Sequence, residues 1–199
     1  MKYRMYGPGE VPERLFRFRY EVWVEELKRP QSYACHDTRT LEDPLDAHAH
    51  HCVVTKDGRI IAAIRLNFLW EGDVEPYYSF YRMDRLDEET RATASISTRN
   101  MVAGAYRKTG VSIRMMTTLY QYAVENGAQT SFMDVNAPLV SLFERFGYVR
   151  LFERPHPDFG DVTVMRLNGY DLDHLNAVRS PFAPYCKAFL NRKAEPALV

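Results

Sequence analysis

The chain is poor in cysteine, has no surplus of either charge and carries no long apolar run, and each shortage removes a class of protein. Its three cysteines, Cys35, Cys52 and Cys186, are widely spaced and odd in number. That fits neither a disulfide framework nor the paired spacing of a zinc site, so they read as reduced thiols of a cytoplasmic protein. Lys plus Arg and Asp plus Glu both number 26, giving zero net charge and no bulk attraction to nucleic acid or an anionic membrane. Local charge can still steer a small acidic partner to one face. No apolar stretch approaches the ~20 residues that span a bilayer, and the opening Met1 to Tyr6 alternates polar and apolar residues instead of forming a leader. Internal repeats, low-complexity tracts and long linkers are missing too. A soluble single domain over 1–199 is expected, large enough to bury roughly 70% of its unfolded surface.

What is present concentrates between Ser97 and Ser112. A strand-like run through Ile96, Met101 and Val102 leads into Tyr106-Arg107-Lys108-Thr109-Gly110-Val111-Ser112, after which Ile113, Met116, Leu119, Tyr120 and Ala123 recur at helical spacing. Unpaired amides at a helix start, the positive end of its dipole and the cations Arg107 and Lys108 converge there on an anion such as phosphate. Thr130 to Val135 then reads as a short strand. Asn136-Ala137-Pro138 opens a helix through Leu139, Leu142, Phe143 and Phe146, stopped by Gly147. Upstream, Lys2 to Tyr6 reads as an edge strand. A first helix from Pro12 to Leu27 presents Leu15, Phe18, Val22 and Leu27 on one face. Asp57-Gly58 between two β-rich runs signals a hairpin. Arg29 to Ala47 and Glu71 to Arg91 read as long loops, the former polar and mobile. Val149 to Phe152 and Asp161 to Leu167 read as late strands, and Asp171 onward as a helical extension, 171–199.

The order strand, phosphate turn, helix, strand, helix, Gly-Tyr, strand resembles the GNAT acyltransferase superfamily. Its acyl-thioester loop corresponds to Arg107 to Ser112, and its later motif to Asn136 followed by Phe143-Glu144-Arg145-Phe146-Gly147-Tyr148. The fold implied is α/β (α+β): one GNAT-like domain with a mixed central sheet flanked by helices, whose splayed strands hold an acyl thioester. Two departures bear on chemistry. Ser112 replaces a small Gly or Ala, and Phe143 replaces a tyrosine that protonates the leaving thiolate, which a phenyl ring cannot do.

Within the superfamily, Arg19-Tyr20-Glu21-Val22-Trp23, Asp43-Pro44-Leu45-Asp46, Arg65 and Thr98-Arg99 are similar to the pattern of the autoinducer-synthase branch, acyl-homoserine-lactone synthases and N-acyl amino acid synthases. That branch places a glutamate two residues before Thr98. Here Ile96 stands there, so no such general base carries over. The resemblance implies transfer of a fatty acyl group from acyl carrier protein, or acyl-CoA, to an amino acid amine. The acyl-phosphopantetheine thioester would be a cosubstrate, with no tightly bound cofactor and no metal. The implied residues are Arg65, Thr98, Arg99 and Met101 for catalysis, a strand amide near Met101 polarising the thioester carbonyl. Arg19, Trp23, Asp43, Asp46, Asn136 and Phe143 would meet substrate, and Arg107, Lys108, Gly110, Val111 and Ser112 the donor phosphate.

Other readings stand beside these. Arg19, Asp43, Asp46, Arg65 and Arg99 fit equally a salt-bridge cluster tying the first helix to the sheet. Trp23 fits the core or the cleft wall. Of His48, His50 and His51, only the first and second can share a strand face and a metal, and His156 and His174 fit surface or capping positions. The function alternatives are an acyl-homoserine-lactone (autoinducer) synthase and a non-catalytic GNAT-like ligand-binding protein.

Overall fold

The computed structural model describes residues 1–194. A seven-stranded sheet has the order β1-β4-β5-β6-β7-β9-β8. Its strands are β1 (Lys2–Tyr6), β4 (His50–Lys56), β5 (Arg59–Phe68), β6 (Ala94–Val102), β7 (Thr130–Asn136), β8 (Val149–His156) and β9 (Gly160–Asn168). All neighbours pair antiparallel except β6 and β7. A two-stranded ribbon, β2 (Ala34–Cys35) with β3 (Thr40–Leu41), stands apart. Asp57 and Gly58 both take positive φ, 50° and 79°, the mirror-image turn that matches strand twist.

Helix α4 (Val111–Glu125) follows β6 and α5 (Ala137–Phe146) follows β7. On one face of the sheet α4 lays Val111, Met115, Met116, Leu119, Tyr120 and Ala123 against Ile64, Leu66, Met133 and Leu167. Ile113, expected on that stripe, is 46% exposed. The C-terminal extension supplies α6 (Leu172–Ala177) and α7 (Ala183–Ala194), and Phe182 stacks on Tyr120 at 4.4 Å; 195–199 of the expected extension lie outside the described residues. Gly147 ends α5 with φ +105°, and a Cβ there would stand 2.6 Å from Leu175, so the Gly-Tyr junction is set by both backbone and packing.

The opposite face carries α1 (Arg14–Tyr20), which widens into a π-helical segment, Glu21–Glu26. Leu15, Phe18 and Val22 pack there on Val53, Ala63 and Met101. Both expected long loops contain fixed structure. Arg29 to Ala47 holds the β2–β3 ribbon and is anchored by Leu41 and Leu45, 0% and 3% exposed. Glu71 to Arg91 folds into α2 (Tyr77–Phe80), a 3-10 turn and α3 (Glu88–Ala92), with Tyr77, Tyr81 and Met83 buried over Ile96, Phe132 and Val164. β8 runs past Phe152 through Pro155, which an outermost strand accepts because the missing N–H need not face a neighbour.

Candidate active site

The cleft arises where β6 and β7 part. They pair only through Ala94–Ile96 and Thr130–Phe132, yet β6 continues to Val102 and β7 to Asn136. In β6 a bulge opposite Ile64, with Arg99 at φ +54°, adds a residue and bends the strand. The splay expected from the sequence is therefore built from an interrupted parallel ladder and a bulge. Strand alternation gives the V two walls. Ser97, Ser131 and Met133 face α4, while Ile96 and Phe132 face α2 and the α1 side.

On the α1 side five charged residues and a histidine lock together. Arg19 donates to Asp46 at 2.7 Å, and Arg65 reaches Asp43 at 2.5 Å and Asp46 at 3.1 Å. Arg65 Nε also donates to Thr98 Oγ1 at 2.9 Å. Arg99 donates to Asp43 from Nε and Nη2, at 3.2 and 2.8 Å, and to Gln31 from Nη1 at 2.6 Å. His51 Nε2 lies 3.1 Å from Asp46 Oδ1. Asp43 caps the turn Pro44–His48 and pairs reciprocally with Asp46 through a capping box. Burial alone would raise the Asp46 carboxyl, but His51, Arg19 and Arg65 hold it well below the usual carboxylate range. Burial, helped by the Arg19 and Arg65 charges, pushes His51 down to about 4 against the pull of Asp46. His51 is therefore neutral at pH 7 and donates from Nε2.

This arrangement has the form of the salt-bridge reading of the cluster. Arg65 is 0% exposed and Arg19 1%; every Arg99 nitrogen is engaged by protein, and Arg65 is bound through Nε and Nη1, with only its buried Nη2 lacking a partner. Thr98 is a ligand of Arg65. The side chain of Met101 is buried against α1. Because Ala103 N bonds Ile61 O and Val102 O accepts from Arg107, alternation turns the Met101 amide towards β5 and the Val102 amide towards the cleft.

A glycine turn leads from β6 into α4 where the spacing predicts a helix start. Gly110, at φ +80°, precedes α4 with no side-chain cap, leaving the first amides of a 15-residue helix unpaired by any cap. Lys108 is exposed. Arg107 is turned to Glu26 at 2.5 Å and to Val102 O at 3.0 Å, so half its fork is already occupied. Ser112 is partly exposed in the first turn. Phe143 is 3% exposed and packs on Phe146 and Tyr148 within the core. Tyr148, deeper in the V, points its hydroxyl to Ser131 Oγ at 3.4 Å, with Ser97 and Ser131 3.3 Å apart.

On the cleft's other wall the structure adds Arg29, Asp158, Phe159 and His156 to the candidates Trp23 and Asn136. Arg29 donates to Asn136 Oδ1 at 3.0 Å and lies over Trp23. Asn136 in turn donates to Phe159 O at 2.8 Å, so it ties the β8–β9 turn to the Arg29 segment. Ser32 binds Asp158 through its amide and hydroxyl, at 3.0 and 2.6 Å. Trp23 packs on Phe159 at 4.9 Å, and its buried Nε1–H has no protein partner. His156 is partly exposed and caps the β8–β9 turn, its Nδ1 accepting from the Asp158 amide at 3.0 Å, while its ring stacks on Phe159 at 4.5 Å and nears the Tyr77 hydroxyl at 3.4 Å. Asp134, on the free part of β7, accepts from Tyr81 at 2.6 Å.

Among the described residues no group of three or more His, Cys, Asp or Glu could hold a metal. His50 is held between Glu71 and Tyr122, apart from the exposed His48. His174 bonds Gly147 O at 3.0 Å. All three cysteines are free thiols, Cys52 pushed up to about 12 by burial. No helix of the described residues is long and apolar enough to cross a membrane.

The fold is similar to solved acyltransferases. A CoA-dependent acyl-homoserine lactone synthase, MesI, superposes with a TM-score of 0.65 at 20% identity, over 84% of this chain and 85% of that one. TofI, in a ternary complex with an inhibitor and MTA, gives 0.68 at 17% identity, over 94% and 100%. FeeM, an N-acyl amino acid synthase from uncultured soil microbes, gives 0.65 at 13% identity, over 92% and 98%. Among curated protein sequences no relative matches. Residues 14–168 match the family described as N-acyl amino acid synthase FeeM, and with that span covering most of the chain and its splayed strands, the protein is an acyltransferase that belongs to this family.

Proposed function

We propose that the protein joins a fatty acyl group to the amine of an amino acid, taking the acyl group as a phosphopantetheine thioester. The observation that carries this is the two-walled V: a capless helix start with Gly110 and Lys108 on one side, and a wall of Arg29, Asn136, Trp23 and His156 on the other. The donor phosphate rests on the α4 amides and Lys108. Its thioester lies along β6, where the unpaired Val102 amide polarises the carbonyl. The acceptor enters from the α1 side, and its carboxylate meets Arg29, whose fork keeps donors beyond the one bound to Asn136. Holding both reactants in line contributes several kcal/mol to the rate, roughly, through freedom lost on binding. The fixed cluster of Arg19, Asp43, Asp46, Arg65 and Arg99 keeps β6 bulged and the cleft open.

Acyl carrier protein is the donor carrier in this reading, because Arg107 is half committed to Glu26 and Ser112 narrows the space a nucleotide pyrophosphate needs. Mass spectrometry of lipids from bacteria expressing the protein tests the reading. Acyl amino acids support it; acyl lactones would assign the chain to autoinducer synthesis, and no new lipid would leave a ligand-binding role.

A further inference from the structure

Resting on that reading, the structure points to a residue for a step the family resemblance leaves without an owner. The acceptor amine arrives as an ammonium at neutral pH and must lose a proton before it can attack. Position 96, where a glutamate would stand, is Ile96, and it is fully buried. Asp43 and Asp46 are consumed by Arg65, Arg99 and Arg19.

One carboxylate remains on the same face. Ile96 pairs with Phe132 of β7, and Asp134 lies two residues further along that strand, on the same side by alternation. Tyr81 confirms the placement, since its ring stacks on Phe132 while its hydroxyl donates to Asp134 Oδ1 at 2.6 Å. By then β7 has lost β6 as a neighbour, so Asp134 borders the V. It has no cation within salt-bridge distance among the described residues, and Tyr81 is its one side-chain hydrogen-bond partner, which leaves Oδ2 unclaimed.

We propose that Asp134 is the general base, a carboxylate displaced from β6 to β7. Oδ2 takes one proton from the acceptor ammonium. The neutral amine then attacks the thioester carbonyl, forming the C–N bond. Collapse breaks the C–S bond, the second nitrogen proton leaves with sulfur as thiol, and Asp134 returns its proton to water. The balance is ammonium plus thioester to amide, thiol and one proton. Groups that face the carboxyl are Tyr81 and Tyr77 from the α2 segment, Arg99 from β6 and His156 from β8. Burial pushes Asp134 up, opposed by the Tyr81 hydrogen bond and the His156 and Arg99 charges, and a carboxylate shifted towards neutrality is the stronger base.

Asp134→Asn keeps the shape and an acceptor for Tyr81. It should lower kcat about a hundredfold or more, the usual worth of a general base, while donor KM and melting temperature hold. The activity should recover as pH rises towards the acceptor's own pKa. An aminooxy analogue of the amino acid, already unprotonated at pH 7, should be acylated by wild type and variant at similar rates. A variant within threefold of wild type with a superimposable pH profile, or one slowed equally with the aminooxy acceptor, overturns the assignment. Loss of all acyl transfer in the wild type, with every amino acid offered, would instead reject the reading on which it rests.

Discussion

Replacing Arg65 by lysine separates a cluster that holds the cleft from one that grips substrate. In the folded chain Arg65 makes three contacts from a site with no solvent exposure: Thr98 at 2.9 Å, Asp43 at 2.5 Å and Asp46 at 3.1 Å. A lysine ammonium keeps the charge but reaches one of the carboxylates, so about two hydrogen bonds to charged or buried partners are lost. At roughly 1.5–3 kcal/mol for each, less the water that enters, the cost is about 3 kcal/mol. For a chain of this size that is about 6–12 °C in melting temperature, at about 2–4 °C per kcal/mol. Scanning calorimetry with acceptor kinetics on the folded fraction reads both quantities. The account expects a large drop in Tm with acceptor KM unchanged, and the same pattern for Arg99→Lys. A Tm within about 2 °C of wild type together with a tenfold rise in acceptor KM would refute it, because Arg65 would then be spending its fork on substrate.

Further consequences can be measured separately. Arg29→Ala should raise acceptor KM about tenfold or more, the worth of one charge-assisted contact, and leave Tm nearly unchanged; initial rates against acceptor concentration check it. Arg107→Ala with Lys108→Ala should raise donor KM while sparing acceptor KM, with Lys108 responsible for most of the effect because Arg107 is shared with Glu26. His51 stays neutral in the fold down to about pH 4 but protonates near 6.5 when unfolded. The unfolded state thus binds more protons between these values, and stability should fall by about 3 kcal/mol as pH drops from 6.5 to 4. His51→Asn should flatten that slope in urea titrations. Hydrogen exchange should find the Arg29–Ser32 segment opening while Leu41 to His48 stays protected, and Asp158→Ala should speed exchange at Ser32 alone.

Much of the scaffold was legible because its signals are local. Gly110 before an apolar stripe, Asp57-Gly58 between β-rich runs and Gly147 after a helical one each mark a backbone conformation that few other residues accept. The motif residues stand out in the sequence, but their contacts do not. Asp43, Asp46, Arg65 and Arg99 look alike as clamps or as struts until burial is known, and all four are buried. Asp134 gave no signal, since one acid in a short strand has meaning only beside Ile96 and Tyr81, which lie far away in sequence. Arg29 was hidden for the same reason: its partner Asn136 is 107 residues on. Tyr77 and Tyr81 were placed in a loop because a four-residue helix is too short for periodicity to show.

The most direct test of acyl transfer to an amino acid is a purified reaction containing one acyl-carrier thioester and an equimolar mixture of isotopically labelled amino acids, followed by free thiol release and by mass spectrometry. The account predicts thiol released in equal amount to an N-acyl amino acid carrying the label. Thiol release without labelled amide, or an acyl lactone formed only when S-adenosylmethionine replaces the amino acids, would contradict it.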